Sequence, residues 1–271
     1  MTSLRYVPLL VALLTVLVTE VSSRVRWKKQ EGTLVSVSVG RAGVWGVSRD
    51  GKIYYMEDTY GEPMNKGTDW NLVNGSLVQL DVGNKIVWGV NQDDCVFYRS
   101  GITGKRPEGK DWELVDGRLT HVTVSPGGSV WGVNKDKYVY FRDGAGNCDS
   151  NGSDWKKMDG KLVQISAGFA GVWGVNDKDK IYYREGTFGD SGDEGDDWIL
   201  VPGDLVYISS GDCVVIGVNK KYEVFIRDGI TKKRPTGKKW RKLNGKLKVV
   251  DTYGNALCGV NNKSDILMGT I

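Results

Sequence analysis

Val87-Trp88-Gly89-Val90-Asn91 decides the fold, because its Trp-Gly-Val centre returns at a fixed stride. Trp45, Trp88, Trp131 and Trp173 each open a Trp-Gly-Val, at spacings of 43, 43 and 42 residues. Degenerate copies follow at Ile216-Gly217-Val218 and Cys258-Gly259-Val260. A second series runs beside the first: Trp27, Trp70, Trp112, Trp155, Trp198 and Trp240, spaced by 43, 42, 43, 43 and 42. One supersecondary unit is therefore written six times. A period of about 40–45 residues with strand-like content predicts a β-propeller, here an all-β, six-bladed one.

The unit from Leu162 to Val201 shows how one blade is built. Leu162–Ser166 alternates apolar and polar residues, the period of a half-buried strand. Val172–Asn176 and Lys180–Arg184 read as the second and third strands, and Trp198–Val201 as the outer one. Four short antiparallel strands per unit make a blade. Asn74-Gly75, Asp116-Gly117, Asp159-Gly160 and Asn244-Gly245 follow the outer strand and predict hairpin turns. The Gly of each Trp-Gly-Val is expected where backbones crowd near the axis. The chain opens on an outer strand, Trp27-Lys28-Lys29, and closes on a third strand, Ile266-Leu267-Met268. Pairing these ends would close the ring and remove two exposed edges.

Residues 1–23 read as a secretory signal peptide. Arg5 supplies the positive region, Leu9 to Val18 the apolar run, and Val21-Ser22-Ser23 a small-residue cleavage site. Residues 24–271 are then one secreted domain, with no membrane insertion expected. The net charge is +4, with acidic and basic residues interleaved. No long basic stripe appears, so nucleic acid is not an expected partner. Lys232-Lys233-Arg234 with Lys238-Lys239 is the one cationic cluster; it reads as a solvated loop or as a contact for an anionic surface. Four cysteines in a secretory context predict two disulfides, with three connectivities open. Cys213 and Cys258 occupy near-matching points of neighbouring repeats, which favours that pair and leaves Cys95 with Cys148. Asn74, Asn151 and Asn262 begin glycosylation sequons.

Val87 to Asn91, Tyr98-Arg99 and Gly101 to Trp112, with the last pattern repeated over Arg227 to Trp240, resemble tectonin repeats. The resemblance covers all of residues 24–271 in six copies. A leader followed by six such units is similar to the fish-egg lectins. That resemblance implies a propeller binding N-acetylglucosamine-type sugars on bacterial or egg-coat surfaces, with calcium associated in some members. The fifth and sixth copies depart from it at Ile216 and Cys258, which points to the better sites lying in blades one to four.

The chemistry for catalysis is thin. His121 is the single histidine. It stands where sister repeats carry Ser36, Gln79, Gln164 and Tyr207, and no nucleophile motif accompanies it. A structural or channel-lining role is expected, and an enzyme is not. Zinc sites with several histidines are excluded by count. Asp190, Asp193 and Asp196, with Glu194 and Asp197, crowd one loop. They read as a solvated acidic loop or as hard oxygen ligands for calcium, a cofactor that the fold does not require. Sugar binding needs a flat apolar surface and a few fixed polar groups. Asn91, Asn134, Asn176, Asn219 and Asn261 recur after the second strand, and Arg99, Arg142, Arg184 and Arg227 after the third. These are the candidate carbohydrate ligands, the Asn having Asx-turns as its alternative role and the Arg pairing with nearby Asp. The outer Trp series reads as packing before platform. A multivalent lectin and a protein-interaction scaffold are the two functional readings, and self-association stays open.

Overall fold

The computed structural model describes residues 24–64, 67, 69–145, 151–189, 192–212 and 214–271. All its regular elements are strands, arranged as six four-stranded antiparallel sheets. Blade 1 is β2 (Ser36–Gly40), β3 (Gly43–Val47), β4 (Ile53–Met56) and β5 (Trp70–Val73). Blade 2 is β6 (Gln79–Val82), β7 (Val87–Val90), β8 (Cys95–Arg99) and β9 (Trp112–Arg118). Blade 3 is β10 (His121–Val124), β11 (Val130–Val133), β12 (Tyr138–Arg142) and β13 (Trp155–Lys161). Blade 4 is β14 (Gln164–Gly168), β15 (Gly171–Val175), β16 (Lys180–Arg184) and β17 (Trp198–Asp204). Blade 5 is β18 (Tyr207–Ser210), β19 (Val215–Val218), β20 (Glu223–Asp228) and β21 (Lys239–Lys246). Blade 6 is β22 (Val249–Tyr253), β23 (Ala256–Val260) and β24 (Asp265–Thr270), completed by β1 (Lys28–Thr33).

The ring closes as its permuted ends require. β1 pairs antiparallel with β24, Lys28 opposite Met268 and Lys29 opposite Leu267. The inner tryptophans explain the stride. Trp45, Trp88, Trp131 and Trp173 are 0 % exposed, each on the second strand of its blade. Ile216 and Cys258 fill the same slot and are equally dry. The glycine that follows is required by a side chain as well as by backbone. A Cβ on Gly132 would lie 2.4 Å from Leu119 Cδ1 and 2.9 Å from the His121 carbonyl oxygen. Leu34, Leu77, Leu162, Leu205 and Leu247 cover the corresponding glycines, at the repeat's own spacing.

The Asn-Gly and Asp-Gly dipeptides do not turn hairpins. Asp116 and Gly117 lie within β9, between the pairs Val96–Val115 and Cys95–Arg118, so two extra residues bulge from the outer strand. Gly117 has φ +95°, and a Cβ there would sit 2.9 Å from the Trp155 ring of the next blade. The bulge thus bends the edge strand and presses it onto its neighbour.

A polar belt near the axis links the blades. Ser38, Asp81, Thr123, Ser166, Ser209 and Asp251 recur at 43, 42, 43, 43 and 42 residues on the innermost strands. Each of five accepts a backbone N–H from the following blade: Val82 to Ser38 Oγ (3.1 Å), Val124 to Asp81 (2.7 Å), Ala167 to Thr123 (3.0 Å), Ser210 to Ser166 (3.0 Å) and Val39 to Asp251 (2.8 Å). Ser209 Oγ donates to Asp251 at 2.5 Å. These bonds offset the cost of taking the belt's polar groups out of water.

Two of the four cysteines contradict the expected pairing. Cys95 and Cys258 are free thiols. Cys258 occupies the inner-tryptophan slot, and burial pushes its thiol far up, which makes it an inert core residue. Cys148 and Cys213 lie outside the described residues, as do residues 1–23, where a leader was expected.

Candidate functional site

The recurring asparagines and arginines do not form one site. Asn91 caps the turn into β8, and Arg99 ends that strand, so about 13 Å separates them. Asn91 Oδ1 accepts the backbone N–H of Asp93 (3.0 Å) and of Cys95 (2.8 Å). Asn134, Asn176, Asn219 and Asn261 accept the N–H groups two and four residues on in the same way. Each carbonyl oxygen is committed to its own turn. The amide nitrogens of Asn219 and Asn261 donate to Glu223 and Asp265, both at 2.9 Å. Those of Asn91, Asn134 and Asn176 have no protein partner among the described residues.

The arginines are corrected from ligands to struts. Arg99, Arg142, Arg184 and Arg227 are only 6, 3, 4 and 7 % exposed. Their guanidinium groups lie over Trp112, Trp155, Trp198 and Trp240, 5.2–5.5 Å from the ring centres. Each Nε donates to a carbonyl of the loop before that tryptophan: Glu108, Asn151 (2.9 Å), Glu194 (2.9 Å) and Thr236 (2.8 Å). Arg142 and Arg184 also pair with Asp116 (2.7 Å) and Asp159 (2.6 Å) on the preceding blade's bulge.

The outer tryptophans are half-buried and bridge blades. Trp155, Trp198 and Trp240 donate their indole N–H to the carbonyls of Asp116 (2.8 Å), Asp159 (3.1 Å) and Pro202 (3.0 Å) on the blade before. Trp27 and Trp70 do the same with Asn244 (2.9 Å) and Glu31 (3.2 Å). In the groove between blades 3 and 4, Trp198 also lines a cavity of about 270 Å³ with Tyr182, Asn176, Lys161, Leu162 and Gly160. A second cavity, about 280 Å³, lies one groove back, among Asn134, Lys135, Arg118, Asp93 and Asp94. Aromatic faces beside an uncommitted amide suit a pyranose ring. Tyr182 belongs to a series missed in the sequence reading: Tyr54, Phe97, Tyr140, Tyr182 and Phe225, at spacings of 43, 43, 42 and 43. That stride was visible and is the signal that would have found it.

The ranking of blades by their inner tryptophan gains no support from the structure. Those rings are fully buried and line neither of the two cavities above, so Ile216 and Cys258 alter the core. Blades 2 to 5 combine the turn asparagine with the third-strand aromatic. Blade 1 has Ser48 in place of the asparagine, and blade 6 has Leu267 in place of the aromatic.

His121 lies in the central channel, on the innermost strand of blade 3. Its ring meets Tyr207 of blade 5 edge-on at 6.1 Å. Neither ring nitrogen has a protein partner among the described residues, and burial pulls its pKa down to about 4. The acidic side chains of the loop proposed for calcium do not converge among the described residues. Asp193 and Asp196 are exposed, Glu194 is held by Lys156 at 2.5 Å, and Asp190 lies outside the described residues. Among the described residues, no group of three acidic, histidine or cysteine side chains is placed to hold a metal.

Fold and repeat together define a β-propeller built from tectonin units. The tectonin domain profile matches residues 14–118 and 64–262, and the chain belongs to that family. No curated protein matches the sequence. Among solved structures the chain is similar to human WBSCR16, with a TM-score of 0.54 and 10 % identity over 89 % of this chain and 77 % of that one. It is also similar to the β-propeller domain of Myceliophthora thermophila Cps50 (Swd1), at TM-score 0.53 and 9 % identity over 90 % and 85 %. YCF48 in a complex with D1 peptide matches at TM-score 0.52 and 13 % identity, over 88 % and 77 %. At these identities the likeness is one of fold.

Proposed function

We propose that the chain is a secreted, non-catalytic lectin that binds N-acetylglucosamine-type glycans of microbial or egg-coat surfaces in the grooves between its blades. The observation that carries this reading is the cavity in which Tyr182 and Trp198 flank the free amide of Asn176. The aromatic faces take the apolar side of the sugar, and the amide pairs with a hydroxyl or acetamide group. Tectonin membership supports a recognition propeller in general. Each groove is shallow, so each site is weak, and repetition around the ring supplies avidity on a repetitive surface.

Titration calorimetry with N-acetylglucosamine and chitotriose tests this reading. The expected stoichiometry exceeds one per chain, and chelator leaves it unchanged. Tyr182→Ala should remove one site and leave the others. No heat with either sugar and no capture on chitin would discard the lectin reading. The second reading, a protein-interaction scaffold, rests on Leu72, Leu114 and Leu200, which stand 59, 67 and 58 % exposed on outer strands.

A further inference from the structure

Blades 2 and 5 carry the same loop on opposite sides of the ring. Gly101-Ile102-Thr103-Gly104-Lys105-Arg106-Pro107 in blade 2 matches Gly229-Ile230-Thr231-Lys232-Lys233-Arg234-Pro235 in blade 5. Both tips are locked by the same reciprocal backbone pair. Thr103 and Arg106 exchange N–H···O bonds of 3.0 and 2.9 Å, and Thr231 and Arg234 of 3.1 and 2.9 Å. Each is anchored by one buried isoleucine, Ile102 or Ile230. The basic side chains on these rigid tips are exposed, and none has a carboxylate partner among the described residues. Elsewhere Lys29, Lys52, Lys137, Lys156, Lys180, Lys220 and Lys242 are all paired with acids.

Beneath these loops the arginine struts differ too. In blades 3 and 4 the strut's guanidinium meets an aspartate on the preceding bulge. Before blades 2 and 5 that position is Asn74 or Pro202, so Arg99 and Arg227 have no such partner. Both are more than nine-tenths buried, and desolvation lowers the pKa of each. Blade 2 offsets its charge with Glu108 and Asp111. Blade 5 does not: residues 229–239 hold five basic side chains and no acid, and Asp228 is engaged bidentately by Arg241 at 3.0 Å.

We propose that the blade 5 loop, with Lys232, Lys233, Arg234, Lys238 and Lys239 above the unpaired guanidinium of Arg227, binds the sulfate or phosphate groups of an anionic polysaccharide, and that the blade 2 loop is its weaker twin. A guanidinium fork and clustered ammonium groups match tetrahedral oxyanions. A preorganised backbone lowers the ordering cost of binding. The tips expose no large apolar side chain, so nothing enters a lipid layer, and a saccharide fits better than a membrane. The proposal takes from the lectin reading only that the ligand is a saccharide, and it places a second, charged ligand class away from the Tyr182 groove.

Retention on a heparin resin probes sulfate, retention on a phosphomannan resin probes phosphate, and phosphatidylserine vesicles probe a membrane. The full chain without its leader should be retained on at least one resin and released by salt. K232Q/K233Q/R234Q should weaken that binding about tenfold or more, as expected for three exposed ion pairs. K105Q/R106Q should weaken it less. The charge-matched control K85Q/K178Q/K263Q should leave it unchanged. Chitin capture by the blade 5 variant should stay at the wild-type level, which separates this site from the groove. No retention on either resin, an equal loss in the control, or vesicle binding as strong as resin binding would overturn the proposal.

Discussion

The two tryptophan series share a residue, a stride and a count per repeat, yet their positions give them different work. The inner rings are entirely dry and sit on second strands. Trp45 and Trp173 donate to the carbonyls of Ala42 and Ala170 at 3.0 Å. Trp88 and Trp131 leave their N–H groups without a partner among the described residues. Packing alone holds those two in place, which is why isoleucine and cysteine can replace them in blades 5 and 6. The outer rings are half-buried at the seam between blades. Trp155, Trp198 and Trp240 use both the indole N–H, which ties them to the blade before, and a flat face, which takes a guanidinium. Trp27 and Trp70 use the N–H alone and Trp112 the face alone, and the series is unbroken through six blades. The inner slot selects for volume, and the outer slot for geometry.

Removing the first outer strand should break this comparison most severely. Deleting residues 24–33 takes away Trp27 and the β1–β24 pairing. The exposed edge of β24 is then a template for other chains. The expected result is aggregation or a much lower melting temperature, read by sedimentation and calorimetry. A monomeric deletion variant with wild-type stability would show that the inner belt closes the ring alone.

Trp131→Ala against Trp198→Ala sharpens the contrast. Emptying the inner slot should cost about 3–5 kcal/mol, which a urea melt would register. The outer substitution removes a half-buried ring and one hydrogen bond, at about 2 kcal/mol. It should also abolish sugar binding in the blade 3–4 groove. If Trp198→Ala destabilises more than Trp131→Ala, the division of labour is wrong.

A smaller effect is expected at the glycine that follows the inner ring. Gly132→Val places methyl groups against Leu119 and should cost about 1–3 kcal/mol by overpacking. Combining it with Leu119→Ala should cost less than the two changes summed, because the truncation vacates the contested space. Additive losses would mean that the His121 carbonyl is the limiting contact.

Much of this was legible in the sequence, and the part that was not has a common cause. Repeat spacing reports which residues occupy equivalent places, so the six blades and their closure followed from Trp27 and Met268. Spacing does not report which neighbour a side chain meets. Asn176 and Arg184 recur with equal regularity. One sets a turn, the other props up an indole, and they sit at opposite ends of β16. The Asp159-Gly160 dipeptide has hairpin chemistry, but the next blade's tryptophan makes it a bulge. The belt residues Ser38, Asp81 and Asp251 look unlike one another in sequence. Only their shared position shows that each accepts a hydrogen bond from the following blade.

That belt yields the smallest and most specific expectation, a pair of opposing pH slopes near the axis. Ser38 Oγ lies 3.0 Å from Asp81 and 2.7 Å from Asp251, but it has one proton and can donate to only one of them. Burial and the Asp81 charge raise the Asp251 pKa from 3.8 to about 7, and burial raises that of Asp81. Tyr207 and Cys258 also face Asp251, and both have raised pKa values, so no cation among them offsets the carboxylates. A folded state that holds a proton more tightly than the unfolded chain is most stabilised by it below pH 3.8, and loses that stability as pH rises to about 7. His121 acts in the other sense. Its pKa falls from 6.5 to about 4, so its contribution is present above pH 6.5 and is lost as pH falls through 4. The two slopes oppose each other in the wild type. Asp251→Asn should unmask the histidine, with melting temperature rising from pH 4 to 6.5. His121→Phe should unmask the carboxylates, with melting temperature falling over pH 4 to 7. Matching pH profiles in the two variants would mean that Asp251 and His121 do not titrate inside the folded ring.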